Sequence, residues 1–172
     1  MSCNVEVIKT HHGIVNPPNQ NCLLKNLISY LVILHMVRFE SPKPISEFFM
    51  DKDNEIIFIT EFVEEERENL VRMHLDFNEE RRCCGLPPVK KEMVEKWIDY
   101  LEKHGYMLIA KHKNKVIGHI AAVPENSTAE IAIFVHQDYE GKRIGSELIR
   151  FMKNSLEKAN IKKLVAVTRR SE

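Results

Sequence analysis

The stretch from Phe134 to Ile149, FVHQDYEGKRIGSELI, places two glycines and two cations between an apolar run and a helical pattern. The first residues of a helix carry N–H groups without an intrahelical partner, and the aligned peptide dipoles leave partial positive charge there. Gly141 and Gly145 leave the backbone open to an approaching anion, and Lys142 and Arg143 add positive charge. The pattern predicts a phosphate-binding turn, although glycines in such a turn also serve tight bends or helix–sheet packing.

Two strands and a helix must position this turn. The run AEIAIFV before the turn is typical of a strand, and ANIKKLVAVT further on returns to a strand pattern. Between them, apolar residues recur at helical spacing, namely Ile144, Leu148, Ile149, Met152 and Leu156. A β-α-β crossover brings its two strands parallel and aims the start of the helix at the carboxyl end of the first strand.

Upstream elements complete a mixed sheet. SEFFM and EIIFITEFV flank the turn DKDN as a predicted hairpin, and EEERENLVRMHLDF predicts a helix with an acidic start. A second helix follows Pro87 and Pro88, ends with Gly105 as its C-cap, and carries an apolar stripe of Val89, Met93, Val94, Trp97, Ile98 and Leu101. YMLIAKH and VIGHIAAVP predict an antiparallel pair, with PENST as the loop to the next strand. The predicted order is β, α, α, β, β, β, α, β.

Composition describes one ordinary globular domain and excludes several classes of protein. The chain has 172 residues, of which 44% are hydrophobic, and its 25 basic side chains balance 25 acidic ones. Balanced charge offers no general attraction to nucleic acid or to an anionic membrane, so neither is expected as a partner. Four cysteines form no disulfide framework in a chain of this size, which favours a reducing, cytoplasmic environment.

Residues 1–44 are predicted to be a poorly defined N-terminal extension, and residues 45–172 the folded domain. The apolar run Leu27–Val37 is shorter than the about 20 residues that span a bilayer, and it is not placed like a signal peptide. The extension is either an appended element or a tail with a docking helix.

Other chemistry-bearing residues form weaker patterns. His11, His12 and Cys22 could ligate a metal, but no second cluster completes a known spacing, so no metal is expected. Cys83 and Cys84 follow two arginines that could lower a thiol pKa, yet an inert pair fits equally well. The segment RRCCGLPP either shapes an acceptor site or is a plain interhelical turn. A Rossmann site is excluded because G-x-G-x-x-G is absent.

The segment AEIAIFVHQDYEGKRIGSELI resembles the central motif of the GNAT superfamily of acetyl-CoA-dependent N-acyltransferases, whose pattern is Gln or Arg, two residues of any type, Gly, any residue, then Gly or Ala. YMLIAKHKNKVIGHIAA resembles the hairpin that precedes this motif in the family, so the resemblance covers roughly Glu55 to Thr168. Two positions depart from the pattern: Glu140 stands where Gln or Arg is usual, and Arg143 replaces the first glycine. Glu140 would repel a diphosphate, and Arg143 would compensate.

The resemblance implies a GNAT-like α/β (α+β mixed sheet) fold with acetyl-CoA as co-substrate. The pyrophosphate would lie on the backbone of the turn and helix start, formed by Gly141, Lys142, Arg143, Ile144, Gly145 and Ser146. The pantetheine arm would run along Ile133, Phe134 and Val135 like an added strand, since its amides can pair with exposed strand groups. A strand N–H near the thioester would stabilise the oxygen charge that develops when an amine attacks.

Catalytic groups are harder to assign. The family often has a glutamate on the last strand that acts as the general base, but this chain has Ala166 at that place. Glu130, at the start of the central strand, is then the best remaining candidate for the base. Its carboxylate could also be a solvated charge at a strand edge. The family's acid, a tyrosine on a later helix, has no counterpart, which leaves Tyr106 or Tyr139 as substitutes. The fold is therefore expected to be C-terminally incomplete, with an uncovered outer edge on the last strand that favours homo-oligomers or aggregation.

The sequence thus predicts an N-acetyltransferase that transfers an acetyl group from acetyl-CoA to a primary amine by direct attack. The acceptor could be a protein N-terminus, a lysine or a small amine, because acceptors are selected by loops. The alternative is a non-catalytic coenzyme A-binding or protein-interaction module that keeps the fold without the chemistry.

Overall fold

Seven strands form one mixed sheet in the computed structural model, which describes residues 4–10, 46–82 and 86–169. The strands are β1 (Asn4–Thr10), β2 (Ser46–Met50), β3 (Ile56–Glu61), β4 (Tyr106–His112), β5 (Lys115–Glu125), β6 (Thr128–Val135) and β7 (Lys163–Arg169). Three α-helices accompany them: α1 (Arg67–Leu75), α2 (Lys91–His104) and α3 (Ile144–Lys158). The order across the sheet is β1-β7-β6-β5-β4-β3-β2.

The pairing changes direction at β6, where the site will be found. Strands β2 to β6 pair with one another in antiparallel fashion, whereas β7 runs parallel to β6. Pairing between β6 and β7 begins at Thr128 with Lys163 and ends at Ile131 with Ala166, although both strands continue beyond that point. The two strands therefore diverge and leave a gap at their carboxyl ends.

Each face of the sheet has its own core. Helix α3 packs over one face against Ile57, Ile120 and Ile131, while α1 and α2 pack over the other against Met107 and Phe134. The division follows from the alternation of side chains along a strand, which sends neighbouring residues to opposite faces. Both faces of the central strands are covered, which agrees with the nearly continuous apolar runs of β4 and β5.

The predicted elements are confirmed, with corrections at their ends. The loop predicted at PENST is only Asn126 and Ser127, because β5 extends through Glu125 and pairs with Thr128. The buried stripe of α2 is narrower than predicted and consists of Val94, Ile98 and Leu101. Met93 is exposed, and Val89 is exposed and lies before the first residue of the helix.

Gly105 follows α2 as predicted, but for a different reason from the one expected. Its backbone is extended rather than left-handed, and its N–H donates to the Leu101 carbonyl. A Cβ at this position would lie 2.7 Å from the carbonyl oxygen of Ala122. Glycine is therefore required here by the close approach of β5.

The expectation that the outer edge of β7 is uncovered is wrong. Strand β1 pairs with β7 in parallel along its whole length, from Asn4 with Lys163 to Thr10 with Arg169. The N-terminal residues supply backbone partners for that edge, so the argument for association through it no longer holds. The rest of the predicted extension, residues 11–44, lies outside the described residues. None of the helices that the structure describes is long and apolar enough to cross a membrane.

Candidate active site

A cleft of about 470 Å³ lies where β6 ends and α3 begins. It is lined by Lys52, Val135, Tyr139, Glu140, Gly141, Arg143, Ile144, Gly145 and Ser146. Seven of these nine residues come from the single stretch 139–146. Val135 is the last residue of β6, and Lys52 comes from the β2–β3 turn. The phosphate turn predicted from the sequence therefore forms one wall of a real cleft.

The turn has the backbone geometry of an anion-binding site. Gly141 and Arg143 have positive φ angles of 69° and 73°, and Arg143 is the N-cap of α3. No side chain caps the start of this helix, so its first N–H groups remain available to a ligand. Positive φ angles beside a helix start are typical of the concave backbone that binds phosphate. For Arg143 this conformation is strained, because an L side chain rarely adopts it.

The cations of the turn are not equivalent, which the sequence did not indicate. The Nζ atom of Lys142 lies 2.7 Å from Oδ2 of Asp53 and 5.4 Å from the centre of the Tyr139 ring. The hydrogen bond to Asp53 raises the pKa of Lys142. Arg143 is exposed and forms no ion pair with any residue in the described ranges. Lys142 is thus held by a protein carboxylate, while Arg143 is open to a ligand.

Glu140 pairs with Arg81, which lies in the short helical turn Glu79–Arg81 after α1. A cation from another part of the chain therefore compensates Glu140 directly, in addition to the compensation expected from Arg143, which stays a prediction. The repulsion between Glu140 and a bound phosphate is smaller than its charge alone suggests.

The carboxyl-terminal half of β6 presents a free edge to the gap. Among the residues that the structure describes, β5 pairs with β6 through Val135 whereas β7 pairs only as far as Ile131, so residues 132–135 have a strand partner on one side only. Ile133 and Val135 pack partly against the α3 core, and Phe134 is buried in the opposite core. The three residues predicted to bind the pantetheine arm thus lie along this edge.

Glu130 lies on β6 one residue before the last position that pairs with β7. Its side chain is exposed and shares the α2 face of the sheet, where burial and the Glu130 carboxylate together raise the pKa of Tyr100. Ala166 is the β7 residue of the last pair. The structure therefore brings Glu130 and Tyr100 close to the point where the strands diverge. Sequence analysis missed Tyr100, because only the packing of α2 on β6 relates the two residues.

The two tyrosines considered as substitute acids lie in different environments. Tyr106 is 3% exposed in the core beneath α3, and burial raises its pKa to about 12. Tyr139 lines the cleft, and its hydroxyl lies 3.0 Å from Nδ1 of His112. Only Tyr139 is accessible from the cleft, at the end where the turn lies.

Two histidines are buried in the core between β5, β6 and α1. Nε2 of His74 lies 3.1 Å from Nδ1 of His119, both residues are fully buried, and the rings of Trp97 and Phe134 surround them. Burial lowers the pKa of His119 to about 3 and places the pKa of His74 well below its ordinary value. Both side chains are therefore neutral at pH 7.

Several of the weaker candidates cannot be placed. Cys3, His11, His12, Cys22, Cys83 and Cys84 lie outside the described residues. Within the described part of the chain, no group of three His, Cys, Asp or Glu side chains could hold a metal ion. The interhelical segment is held by Arg82, whose guanidinium donates to the carbonyls of Phe77 at 3.0 Å and Pro88 at 2.9 Å.

Comparison with known proteins shows the family and the fold of the chain. The model of the acetyltransferase (GNAT) family matches residues 70–172. The GNAT domain of S. lividans PAT superposes with a TM-score of 0.59 at 16% identity, covering 70% of this chain and 77% of that one. A GNAT acetyltransferase from Staphylococcus aureus gives 0.54 at 17% identity, covering 65% and 86%. A GNAT acetyltransferase from Brucella melitensis, solved with acetyl-CoA, gives 0.51 at 19% identity, covering 64% and 74%. No curated protein sequence matches the chain.

Proposed function

The chain belongs to the GNAT family of acetyltransferases, and on that premise we propose that it transfers an acetyl group from acetyl-CoA to a primary amine by direct attack. The proposal rests on two structural features that lie next to each other, a helix start and a strand edge. The start of α3, which has no side-chain cap among the described residues and has positive φ angles at Gly141 and Arg143, follows the end of β6. The carboxyl-terminal half of β6 is not paired with β7. A linear molecule with a diphosphate at one end and amides along its arm fits both.

The residues of this chain fit acetyl-CoA in the following way. The backbone of 141–146 and the side chain of Arg143 would hold the diphosphate, and the backbone of Ile133, Phe134 and Val135 would pair with the pantetheine amides. Bound in this way, the cofactor supplies a thioester, whose acyl carbon is open to an amine. An N–H group on the free edge of β6 would donate to the carbonyl oxygen as negative charge develops on it.

Glu130 is the proposed base. The acceptor amine must lose a proton to attack, and a carboxylate at the mouth of the gap can accept it directly or through one water molecule. The amine nitrogen forms its bond to the acyl carbon as the carbon–sulfur bond breaks, and the thiolate takes up a proton. Tyr100 is a candidate donor for that proton, because a phenol is protonated at neutral pH and Tyr100 lies near Glu130.

A non-catalytic coenzyme A-binding or interaction module is the alternative. It is favoured by Ala166, which stands where the resemblance places a glutamate base, and by the exposure of Glu130. The two functions share a cofactor cleft and differ in turnover.

Calorimetric binding of coenzyme A and amine-dependent release of its thiol together test the proposal. The amine panel should include a peptide N-terminus, a peptide lysine and small polyamines. Release that depends on one class of amine supports acetyl transfer and identifies the acceptor. Binding without release from any acceptor supports the non-catalytic module, and failure to bind coenzyme A contradicts both.

A further inference from the structure

The turn between β2 and β3 reaches across to the cofactor cleft from outside the family-matched region. Two contacts tie it to the stretch that carries the phosphate turn. Oδ2 of Asp53 lies 2.7 Å from Nζ of Lys142. Oε2 of Glu55 lies 3.1 Å from Nε2 of His112, whose other ring nitrogen lies 3.0 Å from the Tyr139 hydroxyl. The turn is therefore docked against the cleft at two points.

The turn is also ordered internally, because Asp51 organises its backbone. Asp51 is 5% exposed, and its Oδ1 accepts hydrogen bonds from the N–H groups of Asp53 at 2.8 Å and Glu55 at 2.9 Å. Its own N–H donates to the Glu55 carbonyl at 2.9 Å. Asn54 adopts the left-handed conformation that a tight turn needs, with φ at 62°. The backbone that carries Lys52 is thus held in place.

The ion pairs between described residues leave Lys52 unpaired within that part of the chain. Lys142 is occupied by Asp53, and Asp51 adds to the rise of its pKa. Lys52 lines the cleft, is exposed, and forms no ion pair with any residue in the described part of the chain. An ammonium group on an ordered turn, lining the same cleft as Gly141 and Ser146, is suited to an oxyanion. Together with Arg143, it supplies the free positive charge of the cleft.

We propose that Lys52 binds a phosphate group of the cofactor, so that the β2–β3 turn is part of the cofactor site. The inference rests on the proposed function, because the phosphate belongs to coenzyme A. Two phosphate sources are available on that molecule, the diphosphate and the ribose 3′-phosphate, and both present the same oxyanion chemistry. Asp53 and Lys142 position the turn rather than contact the phosphate.

The test compares Lys52→Met with Lys96→Met, a matched change at an exposed lysine of α2 on the opposite face of the sheet. Calorimetry measures the Kd for coenzyme A and for dephospho-coenzyme A, which lacks the 3′-phosphate. We expect Lys52→Met to weaken coenzyme A binding about tenfold at low salt, and less at high salt because ions screen an exposed charge. Lys96→Met should leave both Kd values unchanged, and Lys52→Arg should retain most of the affinity.

The two ligands separate the two phosphates. If Lys52 contacts the diphosphate, Lys52→Met lowers the affinity for both ligands equally. If it contacts the 3′-phosphate, the substitution lowers the affinity for coenzyme A only. Either result supports the proposal, provided that thermal melting shows a folded variant.

Equal coenzyme A binding by Lys52→Met and the unaltered chain overturns the role of Lys52 and leaves the proposed function intact. A loss of equal size in Lys96→Met also overturns it, because the effect would then be general electrostatics. If the unaltered chain itself fails to bind coenzyme A, the proposed function fails as well.

Discussion

The two faces of the sheet are built in different ways. On the α3 face, the cofactor cleft is formed almost entirely by one continuous stretch, from the end of β6 through the first turn of α3. On the α1/α2 face, Glu130, Tyr100 and the buried histidine pair come from four separate elements, β6, α2, α1 and β5. A diphosphate can be bound by local backbone, whereas an acceptor site requires side chains that only packing brings together.

The cores beneath the two faces also differ in polarity. The residues buried under α3 are almost all apolar, whereas the core under α1 and α2 contains two neutral histidines. Whichever tautomer the pair adopts, Nδ1 of His74 and Nε2 of His119 have no hydrogen-bond partner among the described residues. Protonation of either ring would place an uncompensated charge in an aromatic cluster. The α1/α2 face is therefore the pH-sensitive side of the molecule.

The sharpest test of this division is Glu130→Gln. If the general base lies on the α1/α2 face and the cofactor binds on the α3 face, the substitution should lower the rate of thiol release about 10²- to 10⁴-fold. This is the usual contribution of a general base. Coenzyme A affinity should stay the same, because Glu130 lies outside the cofactor cleft. Steady-state kinetics and calorimetry on one preparation measure both quantities. Full activity in the variant would show that Glu130 is only a solvated surface charge.

Acid should destabilise the protein through the histidine pair. Both pKa values are lowered in the folded state, so the unfolded chain binds more protons below its histidine pKa of about 6.5. The contribution of the histidine pair to the free energy of unfolding is then fully present above about pH 6.5. It decreases toward pH 3 by up to about 1.4 kcal/mol per pH unit for each histidine. Denaturant unfolding between pH 7 and pH 4.5 measures this slope.

His104→Gln is the control for that measurement, since His104 is partly exposed at the end of α2. It should leave the slope unchanged, whereas His119→Leu should reduce it even if overall stability is lower. A slope that persists in His119→Leu would assign the acid sensitivity to other groups.

Gly145→Ala should separate binding from stability on the α3 face. An added Cβ would lie 3.6 Å from Cγ2 of Val135 and 3.8 Å from Cδ1 of Ile133, which are ordinary contacts. Alanine also favours helix, so stability should rise by up to about 1 kcal/mol. Coenzyme A binding should weaken about tenfold, because a methyl group at a residue that lines the cleft narrows the space for the cofactor. Unchanged binding would show that the phosphate does not approach this position, and the larger Gly145→Val should weaken binding further.

The smallest expected effect is that of Glu140→Gln. Removing a carboxylate from the cleft should tighten coenzyme A binding, but Arg81 already compensates that charge, so we expect no more than about threefold at low salt and less at high salt. Unchanged or weaker binding would indicate that Glu140 points away from the phosphate and serves mainly to hold Arg81.

Local patterns in the sequence were sufficient for the helices, the hairpins and the phosphate turn. Glycines, turn residues and apolar periodicity act over a few neighbouring residues, so the order of elements and the position of the turn at Gly141 to Gly145 could be predicted. The pairing of Asn4–Thr10 with β7 could not be predicted, because an edge strand is specified by its partner more than by its own residues.

The family, the mixed sheet and the stretch of chain that lines the cleft could all be predicted from the sequence, because each is specified by patterns within short contiguous segments. Which charged side chains of the cleft are paired within the protein, and which are open to a ligand, depends on the tertiary structure. Ion pairs between distant segments occupy Lys142 and Glu140, while a turn far upstream brings Lys52 to the cleft. The physical reason is that a Coulomb interaction depends on distance in space, whereas sequence patterns report only distance along the chain.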